Sequence, residues 1–169
     1  MSSLVTERLA GRLVRGVVGG VLSGLVFAAV TIWFTSSTGG KSDMPLRMIS
    51  TIVLGDDAMM KGTTSPGVGW LVHLVLSAGF GVVFALLVPW LRSNAGIAVA
   101  GTVYGAVLFV LNFLILDQLF FTTFKAANKP FELLAHLVFG TLLAFAFLRA
   151  GVAGERPAVA HRGEPAASR

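Results

Sequence analysis

The stretch "GWLVHLVLSAGFGVVFALLVPW", residues 69–90, decides the fold class. It contains no Asp, Glu, Lys or Arg, and its one ionisable side chain is His73. A helix that crosses a bilayer needs about 20 mostly apolar residues. Apolar and polar positions do not alternate here as they would in a barrel strand, so the stretch reads as a helix. Trp70 and Trp90 stand near its two ends, where indole rings favour the headgroup zone.

Three more segments of the same kind lie outward from it, at 16–34, 95–116 and 131–148. The expected fold is therefore all-α, a four-helix transmembrane bundle within residues 1–150. Composition agrees. The chain has 169 residues, 55% hydrophobic and 12% charged, where a soluble domain carries about 25% charge. It has no cysteine, which excludes disulfides, thiolate metal sites and Cys nucleophiles. The first segment exceeds a signal-peptide core and no A-x-A site follows it, so a retained helix is expected.

Basic residues set the expected orientation. With four crossings, Arg8, Arg12, Arg15, Arg92, Arg149, Arg156, Arg162 and Arg169 share one side. Lys41, Arg47, Lys61, Lys125 and Lys129 fall on the other, in longer loops. The positive-inside rule then places both termini in the cytoplasm. Residues 151–169, rich in Ala, Pro, Gly and charge, read as a disordered cytoplasmic tail. The lipid bilayer is the expected partner, with other membrane subunits or a second copy of the chain beside it. No basic-aromatic patch calls for nucleic acid.

The outer loop, 35–68, contains "SDMPLRMISTIVLGDD" at 42–57. Ser42 or Asp43 is an N-cap candidate, Pro45 suits a first turn and Gly55 is a stop. Met44, Met48, Ile49, Ile52 and Val53 make an apolar stripe. A short amphipathic helix is expected over 44–54, too short to span.

Two internal similarities suggest a repeat. "VVGGVLSGLVFAAVTI" (17–32) aligns with "AVAGTVYGAVLFVLNF" (98–113), matching Gly20 with Gly101 and Gly24 with Gly105. "LVHLV" (71–75) aligns with "LAHLV" (134–138), matching His73 with His136. The order of the four helices fits two parallel helix-hairpin repeats. Gly16, Gly20, Gly24, Gly101 and Gly105 form small-xxx-small rows, which let helix backbones approach closely in lipid, within one chain or across a dimer.

The same alignment puts Thr31, His73, Asn112, Asp117, Glu132 and His136 near one depth, towards the outer side. Polar groups in hydrocarbon are costly and turn inward. Three readings stay open. The layer is hydrogen-bonded glue in a structural or accessory subunit. Or it is an outer-leaflet binding or proton-relay site in a binding protein or membrane-complex subunit. Or it is a redox centre, with His73 and His136 holding haem b, or copper with Met44 and Met48 nearby. There is no Walker loop, no G-x-S-x-G elbow and no H-E-x-x-H, so no catalytic residue is named and an enzyme is not expected.

"MPLRMISTIVLG", "GWLVHLVLSAGFGVVFALL", "LNFLILDQLFFTTF" and "FELLAHLVFG" together resemble a group of small bacterial inner-membrane proteins of unknown function. More distantly, the two helix-histidine motifs look like YagU-type inner-membrane proteins. The resemblance covers most of 13–149 and implies four helices in a bacterial cytoplasmic membrane. It implies no active site.

Overall fold

The computed structural model describes residues 2–148. All regular structure among them is helical. The elements are α1 (Ser2–Ser37), α2 (Met44–Leu54), α3 (Ala58–Lys61), α4 (Pro66–Leu87), α5 (Asn94–Val110), α6 (Asp117–Leu119) and α7 (Lys129–Phe145). A 3₁₀ turn at Val88–Trp90 follows α4, a π-helical segment at Leu111–Leu116 joins α5 to α6, and a 3₁₀ turn at Thr122–Ala126 precedes α7.

Local chemistry sets the helix starts. The Ser65 hydroxyl accepts from the Val68 N–H (3.4 Å), Ser93 from Gly96 (3.0 Å) and Asn128 from Phe131 (3.1 Å). Each satisfies a donor that the first helical turn leaves open. Pro66 and Pro130 sit in the first turns of α4 and α7, where the missing N–H costs nothing. Pro89 lies in the tight turn that closes α4. α2 covers the expected 44–54 and stops at Gly55, whose φ of 86° suits a residue without Cβ. Asp43 holds the N-cap position but spends its carboxylate on Arg47 (2.7 Å) instead of on the helix.

Some bounds differ from expectation. α1 starts well before residue 16, because no Pro interrupts the polar run that precedes the apolar one. The third segment turns π-helical at its end. The fourth stops at Phe145, and at 17 residues it is roughly 26 Å long. Three helical stretches are long and apolar enough to cross a membrane: Leu9–Ser37, Pro66–Trp90 and Asn94–Leu119. The expected tail at 151–169, with Arg149, Arg156, Arg162 and Arg169, lies outside the described residues.

Packing leaves more apolar surface outside than a water-soluble domain does. Leu71 (65% exposed), Val75 (62%) and Val99 (64%) face outward, while Ser23, Ser50, Ser77 and Asp117 are buried. Large exposed apolar surfaces of this kind suit a lipid surround, not water. α1 packs along α4, α5 along α7, and α1 also meets α7. The glycines explain how close the first two pairs come. A Cβ on Gly20 would lie 2.2 Å from the Ser77 carbonyl oxygen, and one on Gly24 the same distance from the Ser77 hydroxyl. A Cβ on Gly101 would lie 2.5 Å from the Gly140 carbonyl oxygen, and one on Gly105 2.1 Å from that of His136. Gly16 meets Gly81 and Ala85 in the same way. α2 lies across the start of α4, where a Cβ on Gly69 would strike the Leu46 carbonyl. The apolar core, around Phe84, Ile97 and Leu143, sits towards the other end of the helices.

Candidate functional site

At the α2 end of the helices lies a cavity of about 710 Å³. Ligand pockets fall in the range of about 300–1,000 Å³. Its walls come from α1, α2, α4, the α5–π segment, the 122–126 turn and α7. Eight of the chain's 13 phenylalanines line it: Phe27, Phe34, Phe80, Phe113, Phe121, Phe124, Phe131 and Phe139. Into this aromatic wall come Thr31, His73, Asn112, Glu132 and His136.

The hydrogen bonds define what each group offers. His73 Nε2 lies 2.8 Å from the Gly24 carbonyl oxygen, across from α4 to α1. A carbonyl only accepts, so this nitrogen carries the proton, and in the neutral ring Nδ1 is an acceptor. His136 Nδ1 lies 2.7 Å from the Glu132 carbonyl oxygen, one turn back in α7. Its Nε2 is therefore the acceptor in the neutral ring, and it faces the Asn112 amide nitrogen at 3.4 Å. The Thr31 hydroxyl donates to the Phe27 carbonyl (2.9 Å), leaving its lone pairs for a partner. Glu132 is 8% exposed, yet its carboxyl makes no hydrogen bond or ion pair among the described residues.

Asp117 stands apart from this group. It is 0% exposed and is not part of the cavity lining. Its carboxylate is paired with Lys129, whose ammonium also donates to the Phe113 (3.0 Å) and Phe124 (3.3 Å) carbonyls. The Gln118 amide adds a 3.2 Å bond to Asp117. Asp117 thus closes the α6–α7 connection. The glycines at 16, 20, 24, 101 and 105 all lie at helix contacts.

For metal chemistry, Met44 and Met48 line the same cavity as the histidines. No three His, Cys, Asp or Glu side chains cluster as metal ligands among the described residues. The Phe27 ring contacts both imidazoles, with centroids 5.8 Å from His73 and 4.9 Å from His136. Each imidazole also has one nitrogen committed to a backbone carbonyl.

Sequence reasoning missed Phe27 and the rest of the aromatic wall. It also missed Lys129 as the partner of Asp117. The signal was the Phe content near segment ends at 113–131, which by itself marks only an interface belt. It missed the π segment too, which carries Asn112 at the cavity wall. Such segments often mark functional positions. No known protein family, curated protein or solved structure matches the chain.

Proposed function

We propose that the chain is a four-helix membrane protein whose outer-leaflet cavity binds a small amphipathic molecule, alone or as a subunit of a membrane complex. α1, α4, α5 with its π extension, and α7 are the four crossings, and α2 is a lid on the outer face. Both termini are cytoplasmic, in a bacterial inner membrane. The sequence count of Lys and Arg, eight on the side of the termini against five on the other, supports this orientation. So do the "PLRMI" and paired "HLV" motifs that resemble small inner-membrane proteins. The contacts of Gly20 with Ser77 and of Gly101 with Gly140 fall on aligned positions of the two halves, which supports two hairpin repeats.

One observation carries the binding reading. A cavity of about 710 Å³ has a mostly apolar lining, with Thr31, His73, Asn112, Glu132 and His136 converging in it. Mere glue would pair its polar groups with one another. Here the Glu132 carboxyl makes no hydrogen bond or ion pair among the described residues and is free to meet a ligand in the cavity.

The test is to purify the full chain gently, extract it, and identify small molecules that travel with it. The same is done for Ile49→Trp, which adds bulk to the cavity wall from α2 and leaves the polar residues in place. The expected result is a species retained by the wild type and lost from the folded variant. If the two extracts match and the variant changes only thermal stability, the binding reading fails. A second reading, an accessory subunit with structural histidines, has the His73–Gly24 bond in its favour, and that outcome would select it. Near-stoichiometric iron or copper in the extract, absent from a His73→Ala/His136→Ala variant, would select the redox reading.

A further inference from the structure

The cavity's polar inventory is one-sided in charge. His73 Nδ1 is a lone-pair site once Nε2 has donated to Gly24. Thr31 has spent its one proton on the Phe27 carbonyl. His136 Nε2 accepts, with the Asn112 amide turned towards it. Glu132 is the one Asp, Glu, Lys or Arg among the lining residues, and its carboxyl makes no hydrogen bond or ion pair among the described residues. The nearby cation, Lys129, is held by Asp117 and two carbonyls and does not line the cavity. Donors line it too, in the Asn128 amide, the Thr35 hydroxyl and the second Asn112 N–H, so what sets the site apart is its single charged group, the Glu132 carboxyl.

The walls point the same way. Aromatic faces carry negative charge density and attract ammonium groups. The molecule already shows this beside the cavity, where the Lys129 ammonium lies 5.0 Å from the Phe113 ring centroid. Phe131, next to Glu132 in sequence, stacks on Phe34 at 3.8 Å. An anion would meet the carboxyl and the ring faces with no cation in the lining to oppose them.

We infer that the ligand is a lipophilic amine, bound as its ammonium ion, with Glu132 as counter-ion, His73 and Thr31 as acceptors, and the phenylalanine wall around its apolar body. This rests on the reading of the cavity as a binding site. A charge-assisted bond to Glu132 fixes the polar end, and the rings take the rest.

The test uses three probes with one ring system and different polar ends: 2-(1-naphthyl)ethylammonium, 2-(1-naphthyl)ethanol and 1-naphthylacetate. Binding is measured by equilibrium dialysis on the full chain in phosphatidylcholine nanodiscs, with empty discs subtracted. The ammonium probe should bind about tenfold tighter than the alcohol, the worth of one charge-assisted hydrogen bond, and the acetate weakest. Glu132→Gln, nearly isosteric, should bring the ammonium probe to the level of the alcohol, with helical content checked by circular dichroism. Equal binding of the three probes, a preference for the acetate, or an ammonium preference that survives Glu132→Gln overturns the inference. In those cases the cavity still binds, provided Ile49→Trp weakens all three. If no probe binds above empty discs, both the inference and the cavity reading fall.

Discussion

The α1–α4 and α5–α7 pairs are built on the same close contact but use their histidines differently. In both, glycine lets one backbone press on the next: Gly20 on Ser77, and Gly101 on Gly140. In the first pair His73 reaches across and bonds the Gly24 carbonyl of the opposite helix. In the second, His136 bonds its own helix through Glu132 and turns its other nitrogen to the Asn112 side chain. The π segment at Leu111–Leu116 carries that Asn112. In the first pair the aligned residue, Thr31, lies on a regular helix and bonds its own backbone at Phe27. Both histidines line the cavity, but His73 ties two helices through a short bond to a backbone carbonyl, whereas His136 reaches its neighbour only through a longer side-chain contact.

The largest expected difference between the two helix pairs lies in the connections at the α2 end. Each connection is gathered by one cation. Arg47 binds Asp43 and the Thr64 carbonyl (3.1 Å), with both charged side chains over a third exposed. Lys129 binds Asp117, which is 0% exposed. Removing one partner of a buried pair costs about 3–5 kcal/mol, whereas an exposed pair is worth about 0–1. Lys129→Met should therefore lower thermal stability in detergent far more than Arg47→Met. The double change Lys129→Met/Asp117→Leu should recover most of the loss, since no buried charge is stranded. Equal effects of the two single changes would break the distinction.

Next in size is the shared contact. Gly20→Ala and Gly105→Ala each place a methyl group about 2 Å from a backbone oxygen. Overpacking of this kind costs about 1–3 kcal/mol. Gly79→Ala, with nothing within 4 Å of its added Cβ, should be neutral or stabilise by up to about 1 kcal/mol through helix propensity. Thermal unfolding of the three variants in one detergent decides this. A loss at Gly20 without one at Gly105 would mean that the two pairs do not depend equally on close approach.

The histidines sharpen the comparison further. His73→Phe removes an interhelix bond, worth about 0.6–2 kcal/mol in a membrane protein. His136→Phe removes a bond within one helix and a 3.4 Å contact to Asn112. His73→Phe should thus cost more stability, and His136→Phe should change probe binding more. The reverse order in thermal unfolding would show that the tie lies at His136.

How much of this was readable in advance differs between helices and cavity. Helix character follows from long uncharged runs, and α2 from Pro45, Gly55 and a periodic apolar stripe. The glycine rows point to close contact because only a missing side chain admits it. The convergence of Thr31, His73, Asn112, Glu132 and His136 on one cavity followed the depth argument. Asp117 shares that depth but not that cavity, because depth along a helix says nothing of direction around it. The π segment widens the turn at Asn112, and no residue in "LNFLIL" announces this. The aromatic wall is assembled from residues far apart in sequence, so no local pattern contains it.

The smallest expected effect concerns the link between the two connections. Asp56, just after α2, accepts from the Thr122 N–H (2.6 Å), the Thr122 hydroxyl (2.6 Å) and the Thr123 hydroxyl (3.0 Å). The Thr122 hydroxyl, then the Thr122 amide and Thr123, hold its carboxyl below the usual aspartate value of 3.8. A carboxyl whose folded value is depressed adds stability above its unfolded value, about 3.9. That stability is lost as pH falls through the folded value. The clasp should hold at neutral pH and loosen only below about pH 4. Hydrogen exchange at the Thr122 amide reads this directly. At neutral pH the wild type should be better protected than Asp56→Ala, and the gap should close as the carboxyl protonates. A gap unchanged between pH 6 and pH 3 would mean that protection comes from packing of the 122–126 turn. The two connections would then be held separately, and α2 would cover the cavity without being fastened to its far wall.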